Sequence, residues 1–412
     1  MTVEEWKLHS IGELAEKIGM GPFGSSIKVE TFVKEGIPII SGANIKGVRL
    51  EDGDYNFITI EHADKLKNAN VFPGDVIFTH AGNIGSVAYI PESSKYKRYV
   101  LSQRQFYMRC DKERLLPEYI TYFFKTELGK KKLLANSSSV GVPSIAQPVT
   151  YLKGIEIAIP RLEQQKKIVK ILSSLDDKIE LNLRMNKTLE SIAQAIFKEW
   201  FVYFRFPGFD GELVDGLPKG WRKSNLNEAV NVKGGSTPST KNSNFWGGNN
   251  FWATPRDLSS LQSPVLLTTE RRITDNGVKQ ISSGVLPSGT LLLSSRAPVG
   301  YLAISQVPVS INQGFIAIQG KLVSNLFMLF WLDLNIEKIK GWANGSTFQE
   351  ISKSTFKEIG ITIPNGEVLK WFDKIITPFL DRIVSNEKEN RILTQIRDTL
   401  LPKLMSGKIR VP

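Results

Sequence analysis

The sequence predicts a mixed α/β protein with an internal pseudo-two-fold repeat: two globular α/β domains at opposite ends of an antiparallel two-helix coiled coil. Three observations predict this fold class. The chain has 412 residues, more than one hydrophobic core comfortably serves. The segment 157–182, "IAIPRLEQQKKIVKILSSLDDKIELN", recurs in degraded form at 361–386. Each copy opens a long run of apolar residues at heptad spacing.

Similar segments follow one another in the same order in both halves of the chain. "PGDVIFTHAGNIGSVAYI" from Pro73 resembles "PSGTLLLSSRAPVGYLAI" from Pro287, and "LSQRQFYM" from Leu101 resembles "INQGFIAI" from Ile311. This collinearity indicates a tandem duplication. The predicted boundaries are a first globular domain at 1–160, a helix at 161–204, a linker at 205–220, a second globular domain at 221–364, and a helix with tail at 365–412.

Each globular part carries short β-rich runs broken by Gly, Ser, Asn and Pro, with helical stretches such as "PEYITYFFKTELGKKKLL" between them. This mixture predicts an α/β domain. The segment joining the two repeats, "RFPGFDGELVDGLPKG", is rich in Gly, Pro and charge, and is predicted to be an exposed linker.

Each long helix has an apolar seam that is interrupted by asparagine at the same place in both copies. The proposed seam residues are Ile179, Asn182, Asn186 and Leu189, then Ile383, Asn386, Asn390 and Leu393. A polar residue in a seam lowers stability but fixes register and partner choice. We expect the two helices to pack on each other; the alternative is that each packs only on its own globule. Pro378 is expected to kink or restart the second helix, and Asp176 and Asp177 to be solvated.

The charge of the chain points to an anionic partner. Net charge is +12 and the pI about 9.5. The two helical stretches 163–199 and 367–403 each hold seven basic and six acidic residues, so the excess lies elsewhere. A basic surface without a partner is the alternative. The single cysteine, Cys110, fits a reducing cytoplasmic setting; no secretory signal or membrane span is expected.

Catalytic and metal-binding constellations are absent from the sequence. The three histidines have no histidine or cysteine at metal-ligand spacing, and neither a nucleophile elbow nor a phosphate-binding P-loop occurs. His80 aligns with Ser295 in the second copy, so a shared catalytic role there is not expected. We therefore predict no catalytic residue and no metal ligand.

Polar loops recur at matching places in the two globular parts. Ser, Asn, Gln, Lys and Arg on loops suit contacts to phosphates and to base edges. The candidate DNA contacts are Ser41, Asn44, Lys46, Gln103, Arg104 and Ser144 in the first domain, and Lys241, Arg256, Arg296, Gln313, Thr347 and Gln349 in the second. Gln103 and Gln313 recur, so a shared role as loop anchors is the alternative for these two.

Three segments resemble the specificity subunits of type I restriction–modification systems. "IEIAIPRLEQQKKIVKILSSLDDKIELN" resembles their central conserved region and "FLDRIVSNEKENRILTQIRDTLLPKLMSGKIRV" their distal one. "DGLPKGW", ending at Trp221, resembles the signature that opens their second target-recognition domain. One departure is "IPNGEVLKWF", where the first copy has "IPRLEQQKKI".

The resemblance implies a non-catalytic subunit that reads a bipartite, asymmetric site on double-stranded DNA, with the helices spacing the half-sites. It implies partners as well: two methyltransferase subunits and two restriction or motor subunits. S-adenosylmethionine, ATP and Mg would then serve those partners, with no cofactor in this chain. The alternatives are a DNA-modifying enzyme with an unrecognised motif, or a coiled-coil tether between partner proteins.

Overall fold

The computed structural model describes residues 6–24, 26–138, 141–296, 298–343 and 349–411. It forms two compact units, Met1–Asp177 with Leu393–Pro412, and Lys178–Ile392. Both divisions fall inside long helices, so each unit contains one α/β domain and part of each long helix.

The first α/β domain is built from short strands and helices. Its strands are β1 (Lys7–Ser10), β2 (Ala15–Met20), β3 (Ile37–Ile40), β4 (Phe57–Ile58), β5 (Asn70–Val71), β6 (Asp75–Thr79), β7 (Val87–Tyr89), β8 (Tyr99–Leu101), β9 (Gln105–Cys110), β10 (Ser137–Ser138), β11 (Ser144–Ile145) and β12 (Glu156–Ile159). Its helices are α1 (Ile60–Lys65), α2 (Pro117–Lys125), α3 (Glu127–Leu134) and α4 (Pro148–Gly154). Short 3-10 helices lie at Ile11–Leu14, Val29–Thr31, Gly42–Asn44 and Lys67–Ala69.

A four-stranded antiparallel sheet in the order β2-β9-β6-β7 is central to this domain. Every residue of β6 is buried, with Val76 and Phe78 in one core cluster and Ile77 in another. The apolar run "VIF" within this strand is therefore continuous because side chains on both faces of the sheet are buried. A second sheet has the order β4-β3-β8-β5, in which β3 and β8 run parallel.

The second α/β domain repeats this plan. Its strands are β13 (Leu213–Val214), β14 (Leu217–Pro218), β15 (Arg222–Asn225), β16 (Val230–Gly234), β17 (Trp246–Ala253), β18 (Val265–Leu266), β19 (Arg271–Ile273), β20 (Leu291–Ser294), β21 (Leu302–Ser305), β22 (Val309–Ile311), β23 (Phe315–Gly320) and β24 (Gly360–Ile363). Two long helices, α5 (Leu162–Phe201) and α11 (Gly366–Met405), follow the two domains. The domain's own helices are α6 (Leu226–Ala229), α7 (Pro255–Ser259), α8 (Asp275–Val278), α9 (Asn325–Gly341) and α10 (Lys353–Lys357), with a 3-10 helix at Ser243–Phe245.

The sheets of the second domain resemble those of the first but differ at their edges, with five and three strands in place of four and four. The central sheet has the order β16-β23-β20-β21, extended by β18 at its edge. In the other sheet, β17 pairs with β19 antiparallel and with β22 parallel, as β3 pairs with β4 and β8. The predicted mixed α/β fold class and its internal repeat are confirmed.

Each domain is closed by one antiparallel strand pair: β1 with β12 in the first domain, and β15, the first strand after the joining segment, with β24 in the second. In the first domain Lys7 is opposite Ile159, and in the second Arg222 is opposite Ile363. The last strand leads directly into α5 or α11. The repeated "IAIP" and "ITIP" segments are therefore the closing strand and the turn before a helix.

The two long helices pair antiparallel within the second unit, through the asparagines. Asn182 Nδ2 donates to Asn390 Oδ1 at 2.9 Å, and Asn386 Nδ2 donates to Asn186 Oδ1 at 2.8 Å. All four residues are buried. Partner numbers fall on α11 as they rise on α5, which is the antiparallel sense. The alternative in which each helix packs only on its own globule is therefore wrong.

The remaining seam candidates have apolar side chains on the same two helices. Ile383 is buried, and Ile179, Leu189 and Leu393 are partly buried. Leu189 and Ile383 belong to one cluster with Val265. Apolar contacts from these helices therefore extend to a strand of the second domain.

Within the first unit, Asp176 is a structural ion-pair residue. Its carboxylate accepts from Tyr122 Oη at 2.6 Å and from Arg397 Nη1 at 2.7 Å. Asp177 pairs with Arg49 of the first domain. The expectation that both carboxylates are solvated is thus wrong for Asp176, because α2 and α11 cover it.

Pro378 does not restart the second helix: α11 is continuous from Gly366 to Met405. The proline is exposed, while Ile376 and Ile383 on either side of it are buried. Proline removes one helical N–H bond, and the buried residues before and after it keep the helix in place. The unusual sequence "NGEVLKW" nonetheless starts a helix, with Asn365 Oδ1 accepting from Glu367 N at 2.8 Å.

The joining segment contains a β-hairpin and an aromatic anchor. Strands β13 and β14 pair across Asp215 and Gly216, both of which have positive φ. Phe206 stacks on Trp221 with ring centroids 5.4 Å apart. Most of the segment is exposed, as expected of a linker. The β13–β14 hairpin and the stacking of Phe206 on Trp221 nonetheless give it fixed structure.

Candidate nucleic-acid interface

Gly21 brings two candidate loops of the first domain into contact. Its N–H donates to the carbonyl of Gln105 at 2.9 Å. A Cβ at this position would lie 2.1 Å from the carbonyl oxygen of Ser102, so only glycine fits. The loop after β2 therefore lies against the loop before β9.

His80, in the loop after β6, contacts the loop before β9 and the strand β11. Its N–H donates to the carbonyl of Arg104 at 2.9 Å, and its own carbonyl accepts from Ile145 N at 2.8 Å. Its ring Nε2 lies 3.1 Å from the carbonyl of Gln103. Burial lowers the pKa of His80, which suits a neutral ring holding loops together.

Two first-domain candidates hold their own turn. Asn44 is only 5% exposed, and its Oδ1 accepts from Ser41 N at 3.0 Å and from Ser41 Oγ at 3.1 Å. These bonds cap the 3-10 helix Gly42–Asn44. Asn44 is thus placed to shape the loop, whereas Ser41 is partly accessible.

The other first-domain candidates are more accessible. Lys46 is exposed, with Nζ 4.0 Å from Glu51. Arg104 is exposed and makes no ion pair with the residues that the structure describes. Ser144 is partly exposed in β11. Gln103 is exposed and donates through Nε2 to the carbonyl of Gly24.

The second domain gathers its loops in the same way. A Cβ on Gly235 would lie 1.9 Å from the carbonyl oxygen of Ile311. Thr237 Oγ1 donates to Gln313 Oε1 at 2.5 Å. Gln313 thus ties its loop to the one after β16 by accepting from a side chain, whereas Gln103 is tied to the loop after β2 by donating to a backbone carbonyl.

The remaining second-domain candidates are on the surface, in varied settings. Arg256 has an 82% exposed side chain, 3.5 Å from Glu270. Arg296 lies 3.9 Å from Glu350, and Lys241 and Gln349 are exposed. Thr347 lies outside the described residues.

Arg271 and Arg272 were not predicted from the sequence. Arg271 lies on the ring of Trp246, 3.6 Å from its centroid, and Arg272 lies 4.4 Å from the centroid of Phe251. The signal was two adjacent arginines near an aromatic-rich strand. The sequence does not show which aromatic residue of β17 lies beside each arginine of β19; that depends on the register of the two strands.

The described residues offer no group of three or more His, Cys, Asp or Glu that could hold a metal ion. In that same part of the chain, no helix combines the length and apolar character needed to cross a membrane. The two domains share one scaffold and carry polar loops of different sequence at the same strand ends. This arrangement is typical of a protein with two recognition domains in tandem.

Comparison with known proteins identifies the family. The model of the type I restriction modification DNA specificity domain matches residues 3–191 and again 218–398. The chain therefore belongs to the family of type I restriction modification DNA specificity proteins and carries the family's domain twice. The sequence resemblance is confirmed.

Individual relatives agree with this assignment. The MjaIX specificity subunit of Methanocaldococcus jannaschii is 39% identical over 186 residues, 44% of this chain and 43% of that subunit. The HindI specificity subunit of Haemophilus influenzae is 25% identical over 477 residues, 99% of this chain and all of that subunit. A crystal structure of the S subunit from M. genitalium shares the fold, with a TM-score of 0.61 at 17% identity over 98% of this chain and 97% of that one.

Proposed function

We propose that this non-catalytic specificity subunit reads a bipartite, asymmetric DNA site, one half with each domain. The observation that carries this proposal is the contrast between scaffold and loop. Gly21 after β2 and Gly235 after β16 each approach a backbone carbonyl, that of Ser102 next to the end of β8 and that of Ile311 at the end of β22, too closely for a Cβ. Arg104, by contrast, aligns with Gly314 in the otherwise matching loop. A backbone frame shared by the two domains, with different exposed side chains on its loops, suits two domains that recognise different bases.

The subunit works with DNA, methyltransferase subunits and restriction subunits. We propose two of each protein partner, with S-adenosylmethionine, ATP and Mg bound by them, in the cytoplasm. On α11, Trp371 and Ile375 lie one turn apart and are 43% and 38% exposed. An exposed apolar helix surface of this kind suits contact with a partner protein.

The test is genome-wide adenine-methylation mapping in cells with and without this chain, with the partner subunits present in both. We expect one bipartite motif that disappears when the chain is absent. Methylation that persists unchanged would contradict the proposal. A motif that depends on the chain but is continuous would contradict the bipartite reading.

A separate binding measurement addresses the enzyme alternative. The isolated chain is expected to show no saturable binding of S-adenosylmethionine, while the chain assembled with its methyltransferase subunits binds it. Saturable binding by the isolated chain would favour a modifying enzyme. A chain that assembles with its partners but confers no motif would favour the tether.

A further inference from the structure

Arg271 is an exposed arginine of the second domain with its flat face covered. It lies on β19 opposite Trp252, and its guanidinium carbon is 3.6 Å from the centroid of Trp246 and 5.4 Å from that of Trp252. Among the described residues it has no acidic partner within ion-pair distance, unlike Arg256 and Arg296. A stacked arginine keeps the N–H groups at its edge available.

The tryptophan platform is fixed on both sides. Trp246 Nε1 donates to the carbonyl of Ser239 at 3.1 Å, and Trp252 Nε1 donates to that of Ser236 at 3.3 Å. The two rings meet edge to face at 5.0 Å. The platform orients the guanidinium before any ligand arrives.

A bulge in β17 brings Trp246 to this position. The register shifts between Trp246 and Asn250, so both residues are opposite Ile273. Gly247 has a φ of +78°, and a Cβ on Gly248 would lie 2.4 Å from the carbonyl oxygen of Ile273. The sequence "WGGNN" therefore suits a bulge that re-aims one side chain.

The platform belongs to the candidate interface. Ser236 and Ser239 lie in the same loop as Thr237, which bonds to Gln313. On the other side, Glu270 precedes Arg271 and lies 3.5 Å from Arg256. Arg271 is thus connected to three of the loops that carry the predicted DNA contacts.

The first domain has no cation at the equivalent place. Ile40 is opposite Leu101 as Ala253 is opposite Ile311, so Ile39 corresponds to Trp252. Ile39 N donates to the carbonyl of Asn56 at 2.9 Å, which makes Asn56 the counterpart of Arg271. Because the same scaffold forms with a neutral residue there, the fold does not require the arginine.

We propose that Arg271 is a DNA-contacting residue of the second domain and that Trp246 is its positioning residue. The inference rests on the proposed function. Its ligand is a pair of acceptor atoms on DNA that matches the guanidinium fork, as guanine O6 and N7 or two phosphate oxygens do. The second domain then reads its half-site with Arg271, whereas the first domain has the neutral Asn56 at the equivalent position.

The test is equilibrium binding of the chain, assembled with its methyltransferase subunits, to a labelled duplex carrying the mapped site. Arg271→Ala is expected to weaken binding roughly ten- to a hundred-fold. The matched control is Arg222→Ala, which removes the same charge from β15, where Arg222 pairs with Glu228 at 2.8 Å. If the two variants bind equally well, the proposal is overturned. If the unaltered assembly does not bind the duplex, the proposed function itself fails.

Arg271→Lys distinguishes the two sources of the acceptor pair. With a phosphate, lysine keeps most of the affinity because it keeps the charge. With guanine, lysine lowers affinity and also relaxes the methylated motif at one position of the second half-site. Either result supports the contact and identifies its chemistry.

The positioning role is tested with Trp246→Leu, which keeps an apolar side chain but removes the aromatic face. We expect weaker binding than that of the unaltered chain. Combined with Arg271→Ala, it should add no further loss, because both changes remove one contact. Additive losses would contradict the positioning role, and equal unfolding temperatures of the variants would show that the fold is intact.

Discussion

Glu190 is a poorly solvated carboxylate on α5. Its Oε1 is buried, with no hydrogen-bond partner among the described residues. Burial, reinforced by the nearby carboxylates of Glu387 and Asp333, raises the pKa of Glu190 to about 7. The charged form of Glu190 is therefore disfavoured in the folded chain.

This residue gives a pH prediction with a definite sign. From its ordinary value of 4.5 up to about 7, the unfolded chain has released a proton that the folded chain keeps. The stability contributed by this group is full below that window and is lost as pH rises through it. Glu190→Gln should stabilise the second unit on the order of 1 kcal/mol at pH 8, after allowance for solvent screening.

The measurement is thermal unfolding of both proteins at pH 4.5 and pH 8. The stabilisation by Glu190→Gln should nearly vanish at the lower pH, where glutamate is also neutral. If the two proteins differ in unfolding temperature by the same amount at pH 4.5 and at pH 8, the pKa of Glu190 is not the cause of the stabilisation.

Arg296 is a predicted DNA contact whose charge can be tested separately. Its side chain is about one-third exposed, and the only described ion-pair partner is Glu350 at 3.9 Å. If it contacts a phosphate, Arg296→Gln should weaken binding and lower the slope of log affinity against log salt by about one unit. Unchanged affinity and slope, as expected for Arg222→Gln, would rule out Arg296 as a contact.

For single residues, the amino-acid types in the loops predicted accessible polar side chains. They could not distinguish a side chain that contacts DNA from one that holds its own loop in place. Asn44 has a side chain suited to bases, yet it is buried and bonded to Ser41. Arg271 was missed because its partner Trp246 is brought to it by a bulge. Both facts depend on register and burial, which a loop sequence alone does not contain.

The asparagines are the informative feature at the scale of elements. Asn186 is buried, accepts from Asn386 at 2.8 Å and donates to Glu387 at 2.9 Å. Asn386→Leu would leave Asn186 Oδ1 buried and unpaired, at a cost of about 1–3 kcal/mol. The double variant Asn186→Leu with Asn386→Leu should regain or exceed the original stability, because an apolar pair suits a seam.

A double-mutant cycle by thermal unfolding measures this coupling. The cycle compares four proteins: the unaltered chain, Asn386→Leu, Asn186→Leu and the double variant. A double variant less stable than both single variants would show that the asparagine pair stabilises the helices outright, rather than acting as a device for specificity.

Helix seams were predictable because heptad spacing is a property of one segment. The details of shorter elements were not. The helical stretch from Pro117 breaks at Thr126, whose hydroxyl accepts from Gly129 N at 3.0 Å to cap a new helix. The hairpin across Asp215 and Gly216 lies in the segment predicted to be a linker, although Asp-Gly between apolar pairs is a hairpin signal.

At the scale of the whole chain, the duplication was the most predictable feature, because collinear similarity needs no knowledge of contacts. It predicted two α/β domains of one kind, and the structure has two domains whose central sheets share the order β2-β9-β6-β7 and β16-β23-β20-β21. The exposed loops could not be assigned target bases from sequence, since the copies differ most there.

We propose that each domain reads its own half of the DNA site. The most direct test replaces residues 221–364 with the corresponding domain of another specificity subunit whose second half-site differs, and maps adenine methylation genome-wide. We expect one half of the motif to change to that of the donor while the other half stays the same. A motif that changes in both halves, or in neither, would contradict it.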